Sequence, residues 1–197
     1  MSATPFDPDL GDYVRLVFEA ETFGSEGLQG KDFDDCQFKA CDFKAVVLAG
    51  ATFSRCRFEN CDLSNVPLAA SRWIDCQFKG SKMMGLNWVQ AKEQRGLSFE
   101  ECNLSYNNFK AADLRKAAFK ACRIQDADFG DARLNQADFS GSMLKGTQFL
   151  HADLSGADLR GALDYLIDPL SCKVKGAKMS FPEALVLVRA LGVVISN

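Results

Sequence analysis

Every fifth residue of this chain is large and apolar. From Phe18 the step lands on Phe23, Leu28, Phe33, Phe38, Phe43, Leu48, Phe53, Phe58, Leu63, Leu68, Trp73, Phe78, Met83 and Trp88. It then slips by one residue and resumes at Phe99, Leu104, Phe109, Leu114, Phe119, Ile124, Phe129, Leu134, Phe139, Leu144, Phe149, Leu154 and Leu159. With 47% of the chain hydrophobic, two unbroken runs that total twenty-eight such residues arise by chance with a probability of roughly 10⁻⁹ in a fixed frame. A helix repeats near 3.6 residues and a strand at 2, so neither generates the pattern alone. A period of five requires a repeat architecture, in which each unit buries its apolar residue against copies of itself.

The neighbours of these centres are also regular. Two residues before the centre the chain is mostly small, as at Cys36, Cys41, Ala51, Cys56, Ala112, Ala127 and Ala157. One residue before it stands Asp or Asn at Asp32, Asp42, Asp62, Asn103, Asn108, Asp113, Asp128, Asp138, Asp153 and Asp158. Ala152 to Gly161 (ADLSGADLRG) is the purest stretch. This A(D/N)LXX pattern resembles the pentapeptide-repeat family over residues 16–160.

The resemblance implies an all-β fold, a right-handed quadrilateral β-helix. One pentapeptide forms each side of a square, with the centre and the small residue before it pointing inward. Every fourth centre then falls on one face. Phe18, Phe38, Phe58 and Phe78 continue as Phe99, Phe119, Phe139 and Leu159 if a single residue is inserted within Val89–Ser98. The organisation expected is an N-terminal segment (1–15), a β-helix (16–161) interrupted at 89–98, and a C-terminal cap and dimerisation segment (162–197) that includes a short α-helix. About seven coils at ~4.8 Å make a rod of about 35 Å.

All eight Cys lie two residues before a centre or its in-phase equivalent. Their spacing offers no CxxC zinc turn, so they read as small buried residues. The single His, His151, falls at an outward position with no nucleophile at a motif spacing, and no phosphate loop or nucleophile elbow is present. The chain reads as non-enzymatic, with no cofactor or metal. Met1–Leu10 lacks the basic and apolar regions of a secretory signal, and no apolar run approaches a membrane span. The expected compartment is the cytoplasm.

Three departures from the repeat are candidates for function. Residues 1–35 hold nine acidic and two basic residues, which leaves the remainder slightly basic within an overall charge of −3. At the interruption, polar Gln94 stands where a fourth-face centre should fall, beside Lys92, Glu93 and Arg95. A polar group at a core position is costly, so that side is expected to bulge outward, either as a tolerated insertion or as a contact. At the C-terminus, Asp164 and Pro169 break the pattern and Val174 and Met179 return to it. Phe181–Gly192 then reads as a helix with Pro182 in its first turn and Gly192 as its stop. Its apolar residues are more than one helix face can bury.

A repeat rod, one interruption near its middle and the ending ALVLVRALGVVISN resemble the Qnr-type (quinolone and albicidin resistance-like) branch. So do Gly85–Val89, Leu97–Leu104, Asp164–Pro169 and Lys175–Lys178. That resemblance implies a homodimer joined through the C-terminus, which modulates or protects DNA gyrase or topoisomerase IV by occupying the place of DNA, without binding nucleic acid or membrane itself. It implies a partner-binding loop at Gln90, Ala91, Lys92, Glu93, Gln94 and Arg95. It implies dimerisation through Leu185, Val188, Leu191, Val193, Val194 and Ile195. The alternative reading is a scaffold for a different protein, using the nearly neutral third face (Val47, Ala49, Pro67, Ala69, Ala70, Val89).

Overall fold

The structure, a computed structural model, describes residues 3–24 and 27–195. Glu26 of the acidic segment and Ser196 and Asn197 at the end of the C-terminal motif lie outside them. Each pentapeptide places its centre in extended backbone and turns the corner two residues later. The corner residue commonly takes a left-handed φ, as at Ala20 (56°), Asp35 (53°), Asn65 (59°), Gly85 (68°) and Asp126 (51°). Gly, Asn and Asp tolerate that conformation best. The Asp or Asn before the centre has a separate local role. Its Oδ1 accepts the N–H two residues on, from Lys44 to Asp42 at 2.9 Å, Gly130 to Asp128 at 2.7 Å and Ser140 to Asp138 at 2.9 Å. These Asx turns explain why the acidic residue recurs: it sets a turn.

Successive coils stack as parallel ladders. The first face carries strands Val17–Glu19, Gln37–Lys39, Arg57–Glu59, Gln77–Lys79, Ser98–Glu100 and Ala118–Lys120, in that spatial order. The fourth face carries Asp12–Val14, Asp32–Asp34, Thr52–Ser54, Arg72–Ile74 and Glu93–Arg95. The other two faces are linked by single parallel bridges, among them Asp42 to Asp62 and Asn108 to Asp128. Phe58 pairs with Phe78, twenty residues on, whereas Phe78 pairs with Phe99, twenty-one on. Phe99 to Phe119 returns to twenty. The expected single insertion is therefore present.

The solenoid makes about eight turns, one more than the sequence reading. It begins at Asp12, inside the segment assigned to the N-terminus, and the Leu159–Met179 pair adds a last rung beyond residue 161. Its N-terminal end is closed by Phe6, whose ring packs on Tyr13, Phe18 and Phe23 at 5.2–6.1 Å. Tyr13 holds that lid by donating its hydroxyl to the carbonyls of Asp7 and Leu10. Before the last rung the chain leaves the repeat but still buries Tyr165 and Ile167. A one-and-a-half-turn helix, Leu185–Ala190, follows, and Gly192 (φ +80°) ends it. The helix is shorter than the segment marked out by the sequence.

The tube is filled by aromatic columns. On the first face Phe18, Phe38, Phe58, Phe78, Phe99, Phe119 and Phe139 stack with centroids 4.7–5.2 Å apart. A second column runs Tyr13, Phe33, Phe53 and Trp73 on the fourth face, then Trp88, Phe109, Phe129 and Phe149 on the third. Face three also exchanges its smaller inward residue at this point. Val46 and Val66 accompany the Leu48 and Leu68 centres above, and Asn107, Ala127 and Thr147 accompany the Phe centres below. Side volume is thereby nearly conserved, as close packing requires, except at the changeover, where Leu86 accompanies Trp88.

Candidate functional site

The interruption does not project. Trp88–Gln90 form a 3-10 turn that takes up the extra residue, with Ala91 N–H donating to the Trp88 carbonyl at 3.1 Å. Glu93–Arg95 is a strand in register with Arg72–Ile74, so Gln94 sits beside Trp73. The outward bulge expected from Gln94 is absent. Its side chain is only half-buried, and the fully buried Trp88 supplies the apolar bulk from the neighbouring side. Glu93 and Arg95 pair with each other at 3.0 Å, and Arg95 also reaches Asp75 at 3.6 Å. Val89, Gln90 and Lys92 are the exposed part of this corner. Of the six residues assigned to a binding loop, Gln90 and Lys92 therefore face solvent at a turn, Ala91 packs partly buried against the core, and Glu93, Gln94 and Arg95 build a rung.

The eight thiols are all buried and unpaired. They are more than small fillers. In six of them Sγ donates to the carbonyl of a centre one coil back, as in Cys36 to Tyr13 at 3.3 Å, Cys61 to Phe38 at 3.3 Å and Cys172 to Phe149 at 2.9 Å, and Cys102 and Cys122 donate to the carbonyl two residues before them. Ser142 takes the same role with Phe119 at 2.6 Å. The mixture of Cys, Ser and Thr at this inward position was the sequence signal for a donor. Burial pushes the Cys76 thiol up to about 12, which suppresses the thiolate that reactivity needs. Among the described residues, no group of three or more His, Cys, Asp or Glu is placed to hold a metal. His151 is exposed and reaches only Asp131, at 3.4 Å.

The C-terminal end is the apolar part of the surface. Among the described residues fifteen large apolar side chains are exposed, and nine lie at or beyond Leu163. Phe181 is 80% exposed and Val194 90%. Of the residues assigned to dimerisation, Leu185 is half-buried, and Val188, Leu191, Val193, Val194 and Ile195 are exposed. Val186 and Leu187 turn the other way and pack against the core. Leu166 and Leu170, 74% and 78% exposed, extend this surface and were not singled out in the sequence.

Charge is mixed along the rod. Outward on face one, Glu19, Lys39, Glu59, Lys79, Glu100 and Lys120 alternate in sign, rung by rung. Face three exposes Val47, Pro67, Ala69, Ala70 and Val89.

Two family models match the chain, one for pentapeptide repeats (eight copies) over residues 32–68 and one for a pentapeptide repeat region over residues 95–163. Together they cover more than half of it. The chain belongs to the pentapeptide-repeat family. The gap between the two matches contains the 3-10 turn and Gln94, where the period slips. Among solved pentapeptide-repeat structures, full-length QnrB1, a plasmid-mediated fluoroquinolone resistance protein, is 21% identical. The match covers 93% of this chain and 100% of QnrB1, with a TM-score of 0.59. A trypsin-treated variant of QnrB1 gives 20% identity, 92% and 99% coverage and a TM-score of 0.50. HetL from the cyanobacterium Nostoc, a pentapeptide repeat protein involved in heterocyst differentiation regulation, gives 18%, 85% and 84%, and 0.45. No curated protein sequence matches the chain. No helix among the described residues is long and apolar enough to cross a membrane.

Proposed function

We propose that this pentapeptide-repeat protein is a non-enzymatic binding protein of the Qnr type, which acts in the cytoplasm as a dimer and modulates or protects a type II topoisomerase. The supporting observation is the end-to-end likeness to QnrB1, which spans all of that protein. The exposed apolar C-terminal end supports dimerisation, since a patch of that kind on a soluble rod marks a contact. The alternating charge of face one argues against a uniform imitation of DNA, because opposite charges on adjacent rungs cancel beyond about a Debye length. In this reading the contact with the enzyme lies at the acidic N-terminal end and at the Val89–Lys92 corner.

The test is gyrase supercoiling with and without a fluoroquinolone. Protection that is lost in Lys92→Glu, with the fold retained, supports the reading. No effect on gyrase or topoisomerase IV at micromolar protein overturns it. Deleting Gln90–Arg95 is not an equivalent experiment, because it removes a core rung. The neutral third face favours a second reading, a scaffold for another protein. That reading expects a different partner in a pull-down and loss of its binding in Ala69→Glu or Ala70→Lys.

A further inference from the structure

Face one carries a single file of charges. The parallel register sets Glu19 beside Lys39, Lys39 beside Glu59, Glu59 beside Lys79, Lys79 beside Glu100 and Glu100 beside Lys120. With rungs about 4.8 Å apart, the six charges span about 24 Å. Opposite charges on neighbouring strands are placed to pair, yet only Lys79 and Glu100 close, at 2.9 Å. Lys120 turns instead to Asp138, at 3.3 Å. Among the described residues Glu19, Lys39 and Glu59 have no ion-pair partner. Neighbour pairing within the chain therefore leaves half of the file unused. The column beside it (Val17, Gln37, Arg57, Gln77, Ser98, Ala118) holds one charge.

An alternating file with an even number of members, turned end for end, is its own complement. Take a two-fold axis lying in the face, across the rod, between the Glu59 and Lys79 rungs. It sets Glu19 against Lys120 of a second copy, Lys39 against Glu100 and Glu59 against Lys79, and each pairing occurs twice. The same operation sets Gln37 against Ser98 and Arg57 against Gln77, with Ala118 over the buried Val17, so no like charges meet. A parallel arrangement in register would oppose every charge with its like. We infer that face one is a side-by-side, antiparallel contact between two copies of this chain. It is isologous, separate from the apolar C-terminal end, and dependent on salt.

The test is sedimentation of the full chain carrying Leu191→Asp, which disables the C-terminal contact, at about 20 mM and about 0.5 M salt. Association at low salt, weakened at least tenfold at high salt, is expected from charge pairing. Lys39→Glu breaks two reciprocal pairs and is expected to weaken association about tenfold. The double variant Lys39→Glu/Glu100→Lys makes the file three acids followed by three bases. Neighbours within one chain are then worse matched, but the antiparallel complement is intact, so association recovers to near the starting level. A mass that does not respond to salt, or a double variant no better than the single one, overturns the inference. If the file only stabilises its own solenoid, no variant alters the mass and the double variant merely lowers the melting temperature, which also overturns it.

Discussion

Trp73 and Trp88 meet edge to face, with ring centroids 5.9 Å apart and planes at 68°. Trp73 ends the aromatic column of the fourth face and Trp88 begins that of the third. Their contact hands the column from one side of the tube to the next where the chain gains its extra residue. The rung below Trp73 has Gln94 as its centre, so Trp88 supplies the apolar contact that a large centre would otherwise make.

Removing either ring should expose that dependence. Trp73→Ala and Trp88→Ala are each expected to cost about 3–5 kcal/mol, as for other fully buried aromatics. Because the rings share one contact, the double variant should cost less than the sum by at least about 0.5 kcal/mol. Urea unfolding measures all three, and strict additivity would rule out the coupling.

Two glycines separate backbone strain from crowding. Gly85 and Gly141 both have φ +68°, so alanine carries a similar left-handed cost of about 1 kcal/mol at each. A Cβ on Gly141 meets only the backbone of Ala121, at 3.9–4.0 Å, whereas one on Gly85 runs into Oδ1 of Asn65 in the coil above. Gly85→Ala should therefore be the more destabilising by about 1–2 kcal/mol, and Asn65→Ala should remove the difference. Equal losses in thermal unfolding would show that the Asn65 side chain simply moves aside.

The period of five carried most of the fold into the sequence, because each centre answers one question, whether a side chain fits inside the tube. The column through Phe18 and Phe99 located the insertion for the same reason. The fate of Gln94 was not legible from that column. Whether a polar centre bulges depends on what can replace it, and Trp88 lies on another side of the square. The exchange of Leu and aromatic centres between faces three and four was in the sequence, visible once the sides are read as separate columns. The start of the rod at Asp12 was open to the same count, since Tyr13 lies five residues before Phe18; its cap was not, because Phe6 lies out of phase.

The thiols should be silent in the native state. Each is buried, and burial, not acidity, is what protects all eight: the neighbouring thiol in the stack raises Cys56, Cys61 and Cys122 and lowers their partners Cys36, Cys41 and Cys102, while burial raises Cys76. A thiol reagent at pH 8 is expected to label none of the eight without denaturant and all of them with it. Prompt labelling of the native protein would place a cysteine outside the tube.

Stability should fall in acid. The Asp113 carboxyl is held below the usual range by hydrogen bonds from Arg115 (2.7 Å), Asp153 by hydrogen bonds from Ser155, and Asp158 by those from Arg160. A depressed folded pKa means that the unfolded chain binds protons first. The contribution is thus present above the unfolded carboxylate value, about 4, and is lost as pH falls through the folded values. Arg160→Gln should lower the melting temperature slightly at pH 7, the pair being exposed, and the gap from the parent should narrow steadily as pH falls below about 4. A gap that stays constant with pH would assign the loss to packing instead.

The C-terminal end gives the sharpest contrast between surface and core. Val194 is 90% exposed, whereas Val186, eight residues earlier, packs against the solenoid. If the exposed residues meet a second copy, an acidic group there must be buried unpaired twice in each dimer, once from each chain. Val194→Asp is therefore expected to convert a dimer into a monomer in sedimentation at high salt, with the circular dichroism and melting of the solenoid retained. Val186→Asp should instead destabilise the last coil by about 2–4 kcal/mol, because it places the charge against the core. A parent protein that is monomeric under these conditions, or a Val194→Asp variant of unchanged mass, would remove the C-terminus from the dimer contact.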